Sequence, residues 1–139
     1  MIRLVSIPCT FLIAISLVST ACALPPLPPY VAEHYKASPE YARFAATFGA
    51  MKTKCDTCHT PGADKKAKGH GLNDFGKAVH DNFKHKDFLA ADKAKDMPDQ
   101  AVKAKKLVAE ALAAAEASKN AAGKTFGELI KAGTLPGKN

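Results

Sequence analysis

Cys55-Asp56-Thr57-Cys58-His59 crowds nucleophilic and metal-ligating side chains into five residues. Two cysteines three positions apart lie on one side of a helical turn, and a histidine follows at once. Thiols so spaced can form a redox dithiol, help hold a metal ion, or add to the two vinyl groups of a haem as thioethers. In the third case the adjoining imidazole of His59 is offered to the iron, and C-x-x-C-H is the signature of haem c attachment. A thioredoxin-like dithiol needs a strand-to-helix context, and no strand pattern flanks these residues. A structural zinc site wants four well-spaced ligands, whereas His34, His70, His80 and His85 show no paired spacing. The expectation is one covalent haem c, held by Cys55 and Cys58, with His59 as proximal iron ligand.

On these residues the chain resembles the c-type cytochromes. Downstream, Gly71-Leu72-Asn73-Asp74-Phe75-Gly76-Lys77-Ala78 is similar to a segment of small bacterial monohaem proteins, in which L-N-x-F-G or N-x-Y-G follows the attachment motif. The tail TFGELIKAGTLPG, from Thr125 to Gly137, is similar to the ends of some of them. The resemblance spans most of the chain after its leader, and C-x-x-C-H is its specific part. Two features depart from class I cytochromes. Met51 stands where those carry an aromatic in the turn before the first cysteine, and the third helix has no aromatic. The resemblance implies a small all-α domain wrapped around one covalent haem. It implies an electron carrier rather than an enzyme, passing single electrons between redox partners outside the cytoplasm.

The ligand opposite His59 sets the potential and the access of other ligands. Met97, beside Pro98, resembles the loop methionine that precedes the last long helix of class I cytochromes, and is the first candidate. A methionine there could equally be a gap-filler. His80 lies about 80° off the centre of an apolar stripe on a helical wheel, and His70 sits in a glycine-flanked loop; both are alternatives. His85 would face away if the helix carrying His80 continued through it. An open distal position would instead suit a gas-binding or sensing haem protein. A haem subunit of a larger redox complex is a further alternative. A distal thiolate is excluded, because no third cysteine follows the leader.

The elements that must position these groups read as helices. Ser38-Pro39-Glu40 is a helix start, with Ser38 as N-cap and Pro39 at the first position. Tyr41, Phe44, Ala45, Phe48 and Met51 then recur at helical spacing, so one apolar face leads to Cys55. Leu72, Phe75, Gly76, Val79 and Phe83 form a second stripe. Gly76 within it suits either a helix start or close approach to a flat macrocycle. Asp96 to Asp99, around Pro98, opens a third helix to about Ser118, with Val102, Leu107, Val108, Ala111, Leu112 and Ala115 on one side. Thr125 and Glu128 form a capping box, and the short helix they start ends at Gly133. Leu24 to Tyr30 (LPPLPPY) reads as an extended strap, so the expected organisation is leader 1–23, strap 24–37 and haem domain 38–139.

The chain has 139 residues, with 20 basic side chains against 13 acidic and a net charge of +7. That length excludes a multidomain enzyme and a polytopic membrane protein. Arg3, the apolar run Phe11 to Val18 and Ala21-Cys22-Ala23 make a secretory leader with cleavage expected after Ala23; acylation of Cys22 is the rival reading, and the only route to membrane association. Both place the protein outside the cytoplasm, in the periplasm of a bacterial cell. From Leu24 onward only 24 residues are Val, Ile, Leu, Met, Phe or Tyr, a thin supply for a core. A covalent porphyrin would add the missing apolar area, and folding without it is expected to fail. Lys65, Lys66 and Lys68, and Lys103, Lys105 and Lys106, are either solvated faces or a surface that steers an acidic redox partner. Nucleic acid is not an expected partner of an exported chain without interleaved aromatics.

Overall fold

The computed structural model of the chain describes residues 26–64 and 67–137. The leader with its Cys22, and Lys65 and Lys66, lie outside the described residues. The described residues form six α-helices in order: α1 (Leu27–Lys36), α2 (Ala42–Ala50), α3 (Asp74–Asn82), α4 (His85–Lys93), α5 (Pro98–Ala117) and α6 (Phe126–Lys131). Short 3-10 turns, Pro39–Tyr41 and Lys54–Thr57, precede α2 and carry the first cysteine. There is no strand among the described residues, and the all-α class is as the periodicity implies.

The axis of the fold is α5, which packs against α1, α3, α4 and α6. Its buried residues are Ala104, Val108, Ala111, Leu112 and Ala115. Three alanines in that row let neighbouring helices approach closely, and aromatic rings fill the remaining space. All the described phenylalanines are buried, together with Tyr35. Tyr35 meets Phe44 edge-on at 4.7 Å between ring centroids, and Phe75 meets Phe126 at 5.4 Å. Such pairs add to plain area burial, which is how a chain with few aliphatic residues still closes a core. Val102, expected on the inner side of α5, is 65 % exposed.

Four local expectations are corrected. From Leu27 onward the proline-rich segment is helix, not extended strap. Pro28 and Pro29 fall in its first turn, where missing N–H groups cost nothing. Burial of Val31 and Tyr35, with hydrogen bonds from Tyr30 to Asp92 and from Tyr35 to Glu116, each 2.9 Å, then holds it in place. Ser38 has extended backbone but caps nothing with its side chain. The helix leading to the cysteines stops at Ala50, and Met51 is extended, so the cysteine pair rides on its own turn. The stripe containing Leu72 and Phe83 ends as a helix at Asn82, and a separate helix, α4, begins at His85. At the other end the capping box is present as expected. Thr125 N–H donates to Glu128 Oε2 at 2.8 Å, and Glu128 N–H donates to Thr125 Oγ1 at 3.1 Å.

Candidate functional site

The turn Lys54–Thr57 presents the motif by local hydrogen bonding. Cys58 N–H and His59 N–H both donate to the Cys55 carbonyl, at 3.1 and 2.9 Å. The start of α3 clamps this turn from the side. Asn73 N–H donates to the Cys58 carbonyl at 3.0 Å, and Asn73 Nδ2 donates to the Thr57 carbonyl, also at 3.0 Å. The same side chain caps α3, its Oδ1 accepting the Gly76 N–H at 2.8 Å. A Cβ on Gly76 would overlap the Cys58 carbonyl oxygen. The glycine within the stripe is therefore required by contact with the cysteine segment's own backbone. Gly137, near the end of the described chain, seats against the Asn73 amide in the same way.

His59 is buried, with 7 % of its surface exposed. Its Nδ1 donates to the His70 carbonyl at 2.8 Å. That bond orients the ring and makes Nε2 the nitrogen with the lone pair, the arrangement expected of a metal-ligating histidine. The carbonyl is aimed by a tight loop in which Gly69, His70 and Gly71 have φ of 87°, 54° and 59°. Glycine adopts such backbone freely, and a histidine between two glycines tolerates it.

Beside the motif lies an open cavity of about 330 Å³. Leu27 and Val31 of α1 and Phe48 of α2 form one wall. Leu72, Gly76, Val79 and Phe83 form another, and Cys55, Cys58 and His59 line it directly. No carboxylate lines it among the described residues. Burial pushes the Cys58 thiol up to about 12, so it is a poor thiolate donor at neutral pH and a poor redox dithiol. Cys58 is a free thiol in this structure. Among the described residues no group of three or more His, Cys, Asp or Glu is arranged to hold a bare metal ion.

The candidates for the distal position separate clearly. Met97 is 54 % exposed and does not line the cavity. It is the N-cap residue of α5, and α4, absent from the sequence reading, fills the span between α3 and α5. Three histidines besides His59 do line the cavity: His70, His80 and His85. Their rings form a row, with centroids 6.0 Å apart for His70–His80 and 4.8 Å for His80–His85. His70 and His80 are exposed, and His80 Nδ1 lies 3.5 Å from Asp81. His85 is half-buried, packed edge-on against Phe83 at 4.8 Å. Burial, and then the charges of His80 and His70, hold its pKa below the ordinary imidazole value.

Helical periodicity set His85 aside, because a continuous helix would point it away. It also missed Asn73, although an Asn just before an apolar-periodic helix is an N-cap signal, and the α1 wall, which the prolines concealed. Of the lysines, Lys105 pairs with Glu33, and Lys106 lies 3.9 Å from Glu110, so part of that face is neutralised. No described helix is long and apolar enough to cross a membrane. No family profile, curated protein or solved structure matches the chain significantly.

Proposed function

We propose that this chain is an exported monohaem c-type cytochrome that carries single electrons between redox proteins, with haem joined through Cys55 and Cys58 and His59 as proximal ligand. The observation that carries the reading is the His59 Nδ1–His70 carbonyl bond beside a carboxylate-free apolar cavity. It prepares one imidazole nitrogen for iron next to two correctly spaced sulfurs. Loss of the leader after Ala23 would remove Cys9 and Cys22, leaving Cys55 and Cys58 as the remaining cysteines for thioether formation.

When bound, the haem supplies the ferric–ferrous couple. The residues of this chain supply the rest. His59 is held in one tautomer, and the clamp through Asn73 keeps the cysteine turn against α3. Leu27, Val31, Phe48 and Val79 exclude water from the cavity's walls, which favours the less charged iron state. Lys68 and Lys103 are exposed cations that suit an acidic partner.

Expression in a host that attaches haem c, followed by denaturation and acid–organic extraction, tests the reading. Haem should stay with the polypeptide at one per chain, and complete extraction would end the proposal. The exposure of Met97 favours a second reading, an open distal site that binds gases. Rapid carbon monoxide binding by the ferrous protein at neutral pH would select it over the carrier.

A further inference from the structure

We infer that His85 supplies the sixth ligand to the iron, giving a bis-imidazole centre; the inference rests on the haem reading above. Two observations converge on it. The chain breaks at Phe83–Lys84 and restarts as α4 at His85, so this ring returns to the cavity that His59 lines. Phe83 and its neighbour Phe88, 5.1 Å apart between centroids, fix the wall on which it stands.

The other members of the row are less suited. His70 gives its carbonyl to His59 Nδ1, which places its backbone beside the proximal ligand. His80 is exposed and has Asp81 beside it. Met97 is away from the cavity altogether. Imidazole in place of a thioether lowers the potential of a c-type haem, so the assignment predicts a carrier at the reducing end of the range.

The test reads spin state and ligation on the haem-loaded protein, with covalent haem content measured on every sample. The wild-type ferric protein should be low-spin and six-coordinate and lack a thioether-to-iron charge-transfer band. His85→Ala should become high-spin and regain the low-spin spectrum on adding free imidazole. His85→Met should stay low-spin, gain the thioether band and show a raised midpoint potential. His80→Ala and Met97→Ala should match wild type. A high-spin wild type, or an unchanged low-spin spectrum in His85→Ala, overturns the assignment while leaving covalent attachment intact. Absence of covalent haem from wild type overturns the proposed function as well. Where His85→Ala fails to fold, His85→Met still decides, through the thioether band and the raised potential.

Discussion

Asn73 reaches across to the cysteine turn and donates from Nδ2 to the Thr57 carbonyl at 3.0 Å, while its Oδ1 caps α3 by accepting the Gly76 N–H at 2.8 Å. One side chain thus fastens the attachment turn to the helix that walls the cavity. Losing an N-cap costs about 1 kcal/mol, and an unmet buried carbonyl adds about 1–3 kcal/mol. Asn73→Ala should therefore lower thermal stability clearly. Asn73→Asp, which keeps the capping oxygen and loses the Nδ2 donor, should fall between wild type and Ala in a melting experiment. Equal melting temperatures for all three would show that the clamp carries no energy.

Gly76 and Gly49 make a matched pair. A methyl group at Gly76 meets the Cys58 carbonyl, whereas one at Gly49, within α2, meets nothing within 4 Å. Gly76→Ala must push α3 from the cysteine turn, an overpacking cost of about 1–3 kcal/mol, and should reduce haem incorporation. Gly49→Ala should be neutral or stabilising by about 0.4–1 kcal/mol. Chemical denaturation with haem content measured in parallel checks both, and a well-loaded, fully stable Gly76→Ala protein would contradict the contact.

Tyrosine hydroxyls tie α1 to the rest of the fold, and this gives stability an alkaline limit. Tyr30 donates to Asp92, while Tyr35 and Tyr41 donate to the two oxygens of Glu116, each at 2.9 Å. Burial first, and then Asp92, raises Tyr30 from 10.0 to about 12. Burial and Glu116 raise Tyr35 and Tyr41 also. The folded state therefore holds protons that the unfolded chain releases sooner. Their contribution is complete below the ordinary tyrosine value and is lost as pH rises from there through the folded values. Denaturant stability should fall between neutral pH and about pH 11. Tyr35→Phe should be less stable at neutral pH yet decline less over that range. A wild-type curve that stays flat over it would refute the linkage.

The cavity predicts a dependence on the cofactor. A closed void of about 330 Å³ would cost about 8 kcal/mol at 24 cal/mol per Å³, an upper bound for one open on a side, and comparable with a small domain's entire stability. A Cys55→Ser/Cys58→Ser protein should lose covalent haem and be largely unfolded by far-UV circular dichroism. A double variant with the full helicity and melting temperature of the haem-loaded chain would show that the side chains close the core unaided.

What the sequence determined by itself is local. C-x-x-C-H, the capping box at Thr125 and Glu128, the proline start of α5 and most of its inner face lie within a few turns of chain, where spacing alone decides which side chains meet. The tertiary structure decided what depends on distant partners. Helix α1 forms where prolines suggested a strap, because Asp92 and Glu116 capture its tyrosines from elsewhere in the chain. The break after Asn82 turns His85 toward the cavity, and α4 leaves Met97 at the surface. Asn73 is legible as an N-cap, but its bond from Nδ2 to the Thr57 carbonyl is made across elements, and helical periodicity carries no information about that distance.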